Sequence, residues 1–218
     1  MNTLSLRAYQ ADFIRFAIEV GVLRFGEFTL KSGRISPYFF NTGLFDSGSR
    51  LGRLGGFYAQ TMLAETLTPD VIYGPAYKGI TLACSTAIAL AEATHQEIPF
   101  AFNRKEAKDH GEGGIIVGAK LKGEVLIIDD VITAGTSVRE SISIIQAEGG
   151  TPSGVLIALD RQEPGQNRMT ATEEIETTHK IRVHSIIKLD HILAFLKDTG
   201  RGSEVETITR YRTTFNNS

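Results

Sequence analysis

Residues 125 to 137 read Val125-Leu126-Ile127-Ile128-Asp129-Asp130-Val131-Ile132-Thr133-Ala134-Gly135-Thr136-Ser137. The opening apolar run is short and β-branched, as in a strand buried on both faces. Val138, Ser141, Ile142 and Ile145 then recur at helical spacing until Gly149-Gly150 stops them. The turn between them therefore joins a strand end to a helix start, where free backbone N–H groups and the positive end of the helix dipole favour an anion such as phosphate. Thr133, Thr136 and Ser137 add hydroxyls, and Ala134-Gly135 lets the backbone close around the oxygens. Asp129 and Asp130 can accept hydrogen bonds from sugar hydroxyls or help hold a divalent cation. The layout suits a phosphosugar. A bare acid pair could merely cap a buried strand with solvated carboxylates, and the hydroxyl-rich context disfavours that plainer alternative.

Outward from this junction strands and helices alternate. Val71-Ile72-Tyr73, a helix from about Ile80 to Ala93, Phe100-Ala101-Phe102, Ile115-Ile116-Val117, Val125 to Ile128, the helix after Ser137 and Val155 to Leu159 predict an α/β fold with a mostly parallel central sheet and helices on both faces. In such sheets ligands gather at the carboxyl ends of the strands. Earlier in the chain, Phe13, Phe16, Ala17 and Val20 mark a helix ended by Gly21. Phe28-Thr29-Leu30 and Tyr38-Phe39-Phe40 read as extended pieces around the turn Lys31-Ser32-Gly33-Arg34, and Leu51, Leu54, Tyr58 and Met62 mark a second helix stopped before Pro69. Residues 163 to 178 read as a polar surface excursion, Val183 to Ile187 as a last strand, and helices are expected near 190–197 and 203–212.

With 218 residues and 42% hydrophobic content the chain can bury one large core. A net charge of -2 provides no basic surplus for nucleic acid or an anionic membrane as the main partner. One cysteine excludes an internal disulfide framework, and Cys84, in phase with Ile80, Ala87, Ile88 and Ala91, reads as a packed thiol. The start Met1-Asn2-Thr3-Leu4-Ser5-Leu6 lacks a charged-then-apolar signal layout, and no run is long and apolar enough for a membrane span. A cytoplasmic protein with small-molecule substrates is expected, with no nucleic-acid or membrane partner.

Three further segments fall where strand ends should meet a ligand. In Gly74-Pro75-Ala76-Tyr77-Lys78-Gly79 the glycines and the lysine suit a diphosphate, although alone the segment could be a plain connecting turn. It is not a Walker loop. Arg104, Lys105, Lys108 and His110 crowd a stretch that ends in Gly111, Gly113 and Gly114. A loop there could close over a departing diphosphate and neutralise its charge, and a solvated hairpin tip is the bland alternative. His95, His179, His184 and His191 lack such a setting and default to structural roles. Lys31 with Phe39-Phe40, and Arg161 after the strand ending at Asp160, would suit a flat anionic heterocycle. On periodicity alone Phe39 and Phe40 could equally be core.

Taken in order, Thr29 to Arg34 with Ser36 to Asn41, Gly74 to Gly79, Phe102 to Gly114, the 125–137 run and Ala158-Leu159-Asp160-Arg161-Gln162-Glu163 resemble the orotate branch of the type I phosphoribosyltransferases. The resemblance implies one domain over 1–218, with a small hood at about 1–45, a core at about 46–190, C-terminal helices at about 190–214 and a flexible catalytic loop. It implies transfer of the phosphoribosyl group of 5-phosphoribosyl 1-diphosphate to orotate, giving orotidine 5'-phosphate and diphosphate in pyrimidine (UMP) synthesis. Mg2+ is the implied cofactor, held mainly by substrate oxygens with Asp129 and Asp130 nearby. The same resemblance assigns Lys31, Tyr77, Lys78, Arg104, Lys105, Lys108, His110 and the run Asp129, Asp130, Val131, Ile132, Thr133, Ala134, Gly135, Thr136 and Ser137 to the phosphosugar. Within that set Lys105, Lys108, His110, Asp129 and Asp130 are the implied catalytic residues. Lys31, Phe39, Phe40, Thr133 and Arg161 are assigned to orotate. A homodimer is implied, with loop 104–114 crossing to the partner site. Transfer to another base, or nucleotide sensing without catalysis on the same fold, are the alternatives.

Overall fold

A computed structural model describes residues 6–30, 33–108, 114–163 and 169–216, the side chains of residues 107, 108, 215 and 216 excepted. Helix α1 (Ala8–Glu19) buries Phe13, Ile14, Phe16 and Ala17 on one stripe, and Gly21 takes the left-handed conformation just beyond its end. Strands β1 (Leu23–Thr29) and β2 (Ile35–Phe40) form a two-stranded antiparallel sheet of their own, bulged between Phe25 and Phe28. A short 3-10 turn over Thr42–Leu44 leads into α2 (Gly48–Ala64).

The rest follows the expected alternation: β3 (Val71–Gly74), α3 (Lys78–Thr94), β4 (Phe100–Lys108), β5 (Gly114–Gly118), β6 (Glu124–Asp129), α4 (Thr136–Ala147), β7 (Thr151–Asp160), α5 (Ala171–His179), β8 (Arg182–Lys188), α6 (Leu189–Asp198) and α7 (Gly202–Asn216). The second sheet has the order β5-β4-β3-β6-β7-β8, parallel except for β5, which runs antiparallel to β4. Strand β6 shows why its sequence is apolar throughout. Leu126 and Ile128 enter a core shared with α1, α2, α3 and α6, while Val125 and Ile127 enter a second core with Val138, Ile142 and Ile145 of α4 and Ile175 of α5. Order reverses around β3 and β6, the neighbouring strands whose chains continue to opposite sides of the sheet. The crevice at their carboxyl ends is where an open α/β sheet receives a ligand.

Two expectations are corrected. Within 163–178 the chain forms α5 rather than an irregular excursion. Only Thr172 and Ile175 of that helix are buried, so its apolar period is faint. Its start signal was present nonetheless: Thr170 Oγ1 accepts from the Glu173 N–H at 3.2 Å, and the Glu173 carboxylate accepts from the Thr170 N–H at 2.8 Å. Cys84 is half-buried rather than packed in the core, because α3 buries the stripe Leu82, Ala83, Thr86 and Leu90 instead. The thiol borders a groove between α2 and α3 together with Ile88, which is 60% exposed. Among the described residues no helix is long and apolar enough to cross a membrane.

Tyr58 is fully buried on α2 and its hydroxyl donates to the Asp129 carbonyl at 2.7 Å, fastening that helix to the end of β6. Tyr58→Phe keeps the ring and strips a buried carbonyl of its donor, so urea denaturation should show a loss of about 1–3 kcal/mol with an unchanged slope. An unshifted midpoint would mean that the carbonyl finds another donor.

Candidate active site

Strand β6 delivers Asp129 and Asp130 to the floor of the crevice, each only 8% exposed. A charge so desolvated needs partners, and Asp130 draws them from four directions. Thr42 donates its hydroxyl to Oδ2 at 2.5 Å, Lys78 Nζ reaches the same oxygen at 2.6 Å, and the Val131 N–H donates to Oδ1 at 2.9 Å. The Asp130 carbonyl meanwhile accepts from the Ala158 N–H at 2.9 Å, which ties this corner to β7. Asp129 Oδ1 accepts from the Asp130 N–H at 2.9 Å. Burial first, and then the neighbouring Asp130 charge, push the Asp129 carboxyl up to about 6 against the pull of that N–H, of the Ser137 hydroxyl and of Lys78.

The turn after Asp130 is anchored from below and open above. Ile132 and Val138 are buried, whereas Thr133, Ala134, Thr136 and Ser137 are exposed at the start of α4. Gly135 is left-handed, with φ 68°, and a Cβ there would lie 2.9 Å from Arg139 Nη1. Arg139 braces the turn by donating Nη2 to the Ala134 carbonyl at 2.6 Å, and sits 3.6 Å from Glu174 of α5.

The loop after β3 is tighter still. A Cβ on Gly74 would lie 2.0 Å from the Gly79 carbonyl oxygen, and one on Gly79 would lie 2.5 Å from Pro75 Cδ. The two glycines therefore stand back to back, and the loop pushes Ala76 and Tyr77 outward. Asn103 Oδ1 of β4 accepts from the Ala76 N–H at 2.9 Å. Residues Pro75 to Lys78 and Asp129 to Val138 together line a cleft of about 380 Å³.

The cationic stretch differs from expectation. Instead of a loop beginning at Arg104, β4 continues to Lys108 and pairs back with Gly114, because the apolar run Ile115 to Val117 supplies an antiparallel partner. Arg104 and Lys105 are thus strand residues, and Lys105 Nζ lies 4.9 Å from the centre of the 69% exposed Tyr77 ring. The Lys108 side chain and His110 lie outside the described residues.

In the two-stranded sheet the aromatic pair divides. Adjacent strand residues face opposite ways: Phe40 packs edge-on against Phe13 at 6.5 Å and joins the first core, whereas Phe39 stacks on Phe28 at 5.4 Å with the Arg24 guanidinium 5.5 Å from each ring. Arg161, just after β7, is held by Glu163 and Tyr38. Lys31 lies outside the described residues. Among the remaining histidines, His191 accepts the Lys188 N–H at the start of α6, and His184 sits 3.9 Å from Glu65. Sequence reasoning had assigned no role to Thr42, Asn103, Arg139 or Glu163. Thr42 and Asp130 are 88 positions apart, a separation that leaves no local spacing to read.

For a divalent cation the fit is partial and instructive. Among the described residues no group of three or more His, Cys, Asp or Glu side chains could hold a metal, and Asp130 Oδ2 is already shared by Lys78 and Thr42. Two carboxylates suit an ion that brings most of its ligands as water and phosphate oxygens, which is the habit of Mg2+.

Because the fold holds the Asp129 proton more tightly than the unfolded chain does, the native state binds extra protons between about pH 4 and 6 and loses stability as pH rises through that window. Asp129→Asn removes this dependence. Denaturation of both proteins without ligand should show the variant gaining about 1–3 kcal/mol on the wild type between about pH 4 and 7. Parallel stability curves would place the titration elsewhere.

The phosphoribosyl transferase domain family profile matches residues 50–192. Over 210 residues the chain is 60% identical to the orotate phosphoribosyltransferase of Methylococcus capsulatus, covering 96% of this chain and 99% of that one. It is 58% identical over 208 residues to the orotate phosphoribosyltransferase of Pseudomonas aeruginosa, covering 95% and 98%. The crystal structure of orotate phosphoribosyltransferase from Francisella tularensis matches with a TM-score of 0.85 at 39% identity, covering 93% of this chain and 98% of that one.

Proposed function

We infer, because the chain belongs to the orotate phosphoribosyltransferases of the phosphoribosyl transferase domain family, that it transfers the phosphoribosyl group of 5-phosphoribosyl 1-diphosphate to N1 of orotate. The products are orotidine 5'-phosphate and diphosphate, in pyrimidine synthesis. The observation that carries the residue assignments is the cleft itself: two buried carboxylates between two loops whose backbones can close around phosphate.

As diphosphate leaves the anomeric carbon, positive charge grows on the ribose ring and the transition state resembles those of glycoside chemistry. No protein nucleophile is needed. Thr133 to Ser137 take the 5'-phosphate at the start of α4, a remote handle whose binding energy orients the reacting carbon. Asp129 and Asp130 accept from the ribose hydroxyls and stand as negative charge beside the developing cation. Lys78 is the natural group to exchange its bond to Asp130 for a phosphate oxygen, joined at the diphosphate by the Tyr77 loop, Arg104, Lys105, Lys108 and His110. Mg2+ held mainly by substrate oxygens would offset the charge of the leaving diphosphate. Phe39, Lys31, Thr133 and Arg161 form the orotate end, while Phe40, expected there too, packs behind it in the first core.

A homodimer with loop 104–114 crossing to the partner site follows from the family, and the half-exposed apolar groove between α2 and α3 offers a face for a second copy. A lone unbridged cysteine agrees with a reducing, cytoplasmic setting.

With 5-phosphoribosyl 1-diphosphate present, orotate should support diphosphate release while uracil, adenine and hypoxanthine do so poorly, since a site built around a carboxylate leaves its cations unpaired without one. Uracil turnover on a par with orotate would overturn the assignment. For the crossing hairpin, Lys105→Ala with Lys108→Ala and Asp129→Asn with Asp130→Asn should each give nearly inactive homodimers. Random subunit exchange makes about half of the dimers hybrids, and crossing hairpins would leave one intact site in each, restoring roughly a quarter of wild-type sites. Verified hybrids without activity would mean that the hairpin serves its own subunit.

A further inference from the structure

We propose that Glu163 is a specificity-determining positioning residue, which clamps Arg161 along one edge so that the opposite edge meets the carboxylate of the incoming base. The inference rests on the reading of the site as an orotate site. Glu163 has a side chain only 10% exposed, and three groups converge on it. Arg161 donates Nη2 and Nε to Oε1 at 2.8 and 3.1 Å, Tyr38 donates its hydroxyl to the same oxygen at 2.7 Å, and Arg34 pairs with Oε2. The Arg161 side chain is itself only 19% exposed, so its donors meet a ligand in a place largely shielded from water, where their aim counts.

Geometry sharpens the point. A guanidinium is a planar fork. One edge of Arg161 is taken by Glu163, and its face lies over the Tyr38 ring with Cζ 5.1 Å from the centroid. Among the described residues Nη1 makes no hydrogen bond, so the free donors are aimed rather than left to wander. An unclamped arginine would lose side-chain freedom on meeting substrate, and that loss weakens binding. The contact also spans the two sheets: Tyr38 lies in β2 beside Phe39 and Arg34 just before that strand, whereas Arg161 and Glu163 follow β7. One carboxylate therefore sets both the aim of the cation and the spacing between it and the aromatic ring.

The test compares wild type, Glu163→Gln and Tyr38→Phe for kcat and KM with orotate and with 5-phosphoribosyl 1-diphosphate, for the orotate-to-uracil preference, and for melting temperature. Glu163→Gln keeps the shape and removes the charge, so KM for orotate should rise by about tenfold or more, the worth of one charge-assisted hydrogen bond, with KM for the phosphosugar nearly unchanged. Preference for orotate over uracil should fall in parallel. Tyr38→Phe should move the same constants in the same direction by less, and carries the test if the glutamine variant does not fold. Equal changes for both substrates, or a change in melting temperature alone, would make the cluster structural and overturn the proposal. A lower KM for orotate would also overturn it, by showing that Glu163 competes with the substrate for Arg161. A wild type inactive with orotate would sink the site reading itself, and this inference with it.

Discussion

The desolvated carboxylate of Asp130 is the constraint around which the site is arranged. A charge at the end of a strand buried on both faces is costly unless every lone pair is engaged, and each partner it recruits belongs to a different part of the chain. Thr42 arrives from the turn after the two-stranded sheet, Lys78 from the start of α3, and Val131 from the phosphate turn, while the Ala158 N–H holds the peptide behind it. Satisfying one side chain thus fixes the relative positions of four segments. A ligand hydroxyl that bonds to Asp130 joins a network already oriented, so little reorganisation accompanies binding.

The same network holds Lys78: its ammonium group sits on Asp130, which offsets that charge and keeps it tolerable in the cleft. Phosphate oxygens offer it an alternative partner of higher charge. On the proposed reading, binding of the phosphosugar would therefore release the acid and position the cation in one exchange, leaving Asp129 and Asp130 most negative as a positive ring forms beside them.

Much of this was legible in the sequence. The Val125–Ser137 run specified a strand, a turn and a helix because its apolar period changes from continuous to helical across a glycine-containing turn, and β6 and α4 follow that reading closely. Helix α5 was missed since so little of it is buried, and the strand character of Arg104 to Lys108 was missed because this polar stretch lies beyond the pairing with β3 and meets β5 with an irregular register between Asn103 and Lys108. Phe39 and Phe40 look alike in sequence, and the pleat alone sends one to Phe28 and the other into the core. Thr42 with Asp130 and Glu163 with Tyr38 meet across 88 and 125 positions, contacts which no period encodes.

The two-stranded sheet of β1 and β2 shares no ladder with the six-stranded one. Its link to the larger sheet runs through side chains: Leu23, Phe25, Tyr38 and Phe40 enter the first core, and Thr42 with Asp130 and Tyr38 and Arg34 with Glu163 add polar ties. On the proposed reading the base-facing hairpin is consequently a separable part: its ring and its cation spacing could drift without breaking a single backbone bond of the sheet that would hold the phosphosugar. Divergence in nucleobase choice on a common sugar-handling chassis is what such a seam permits.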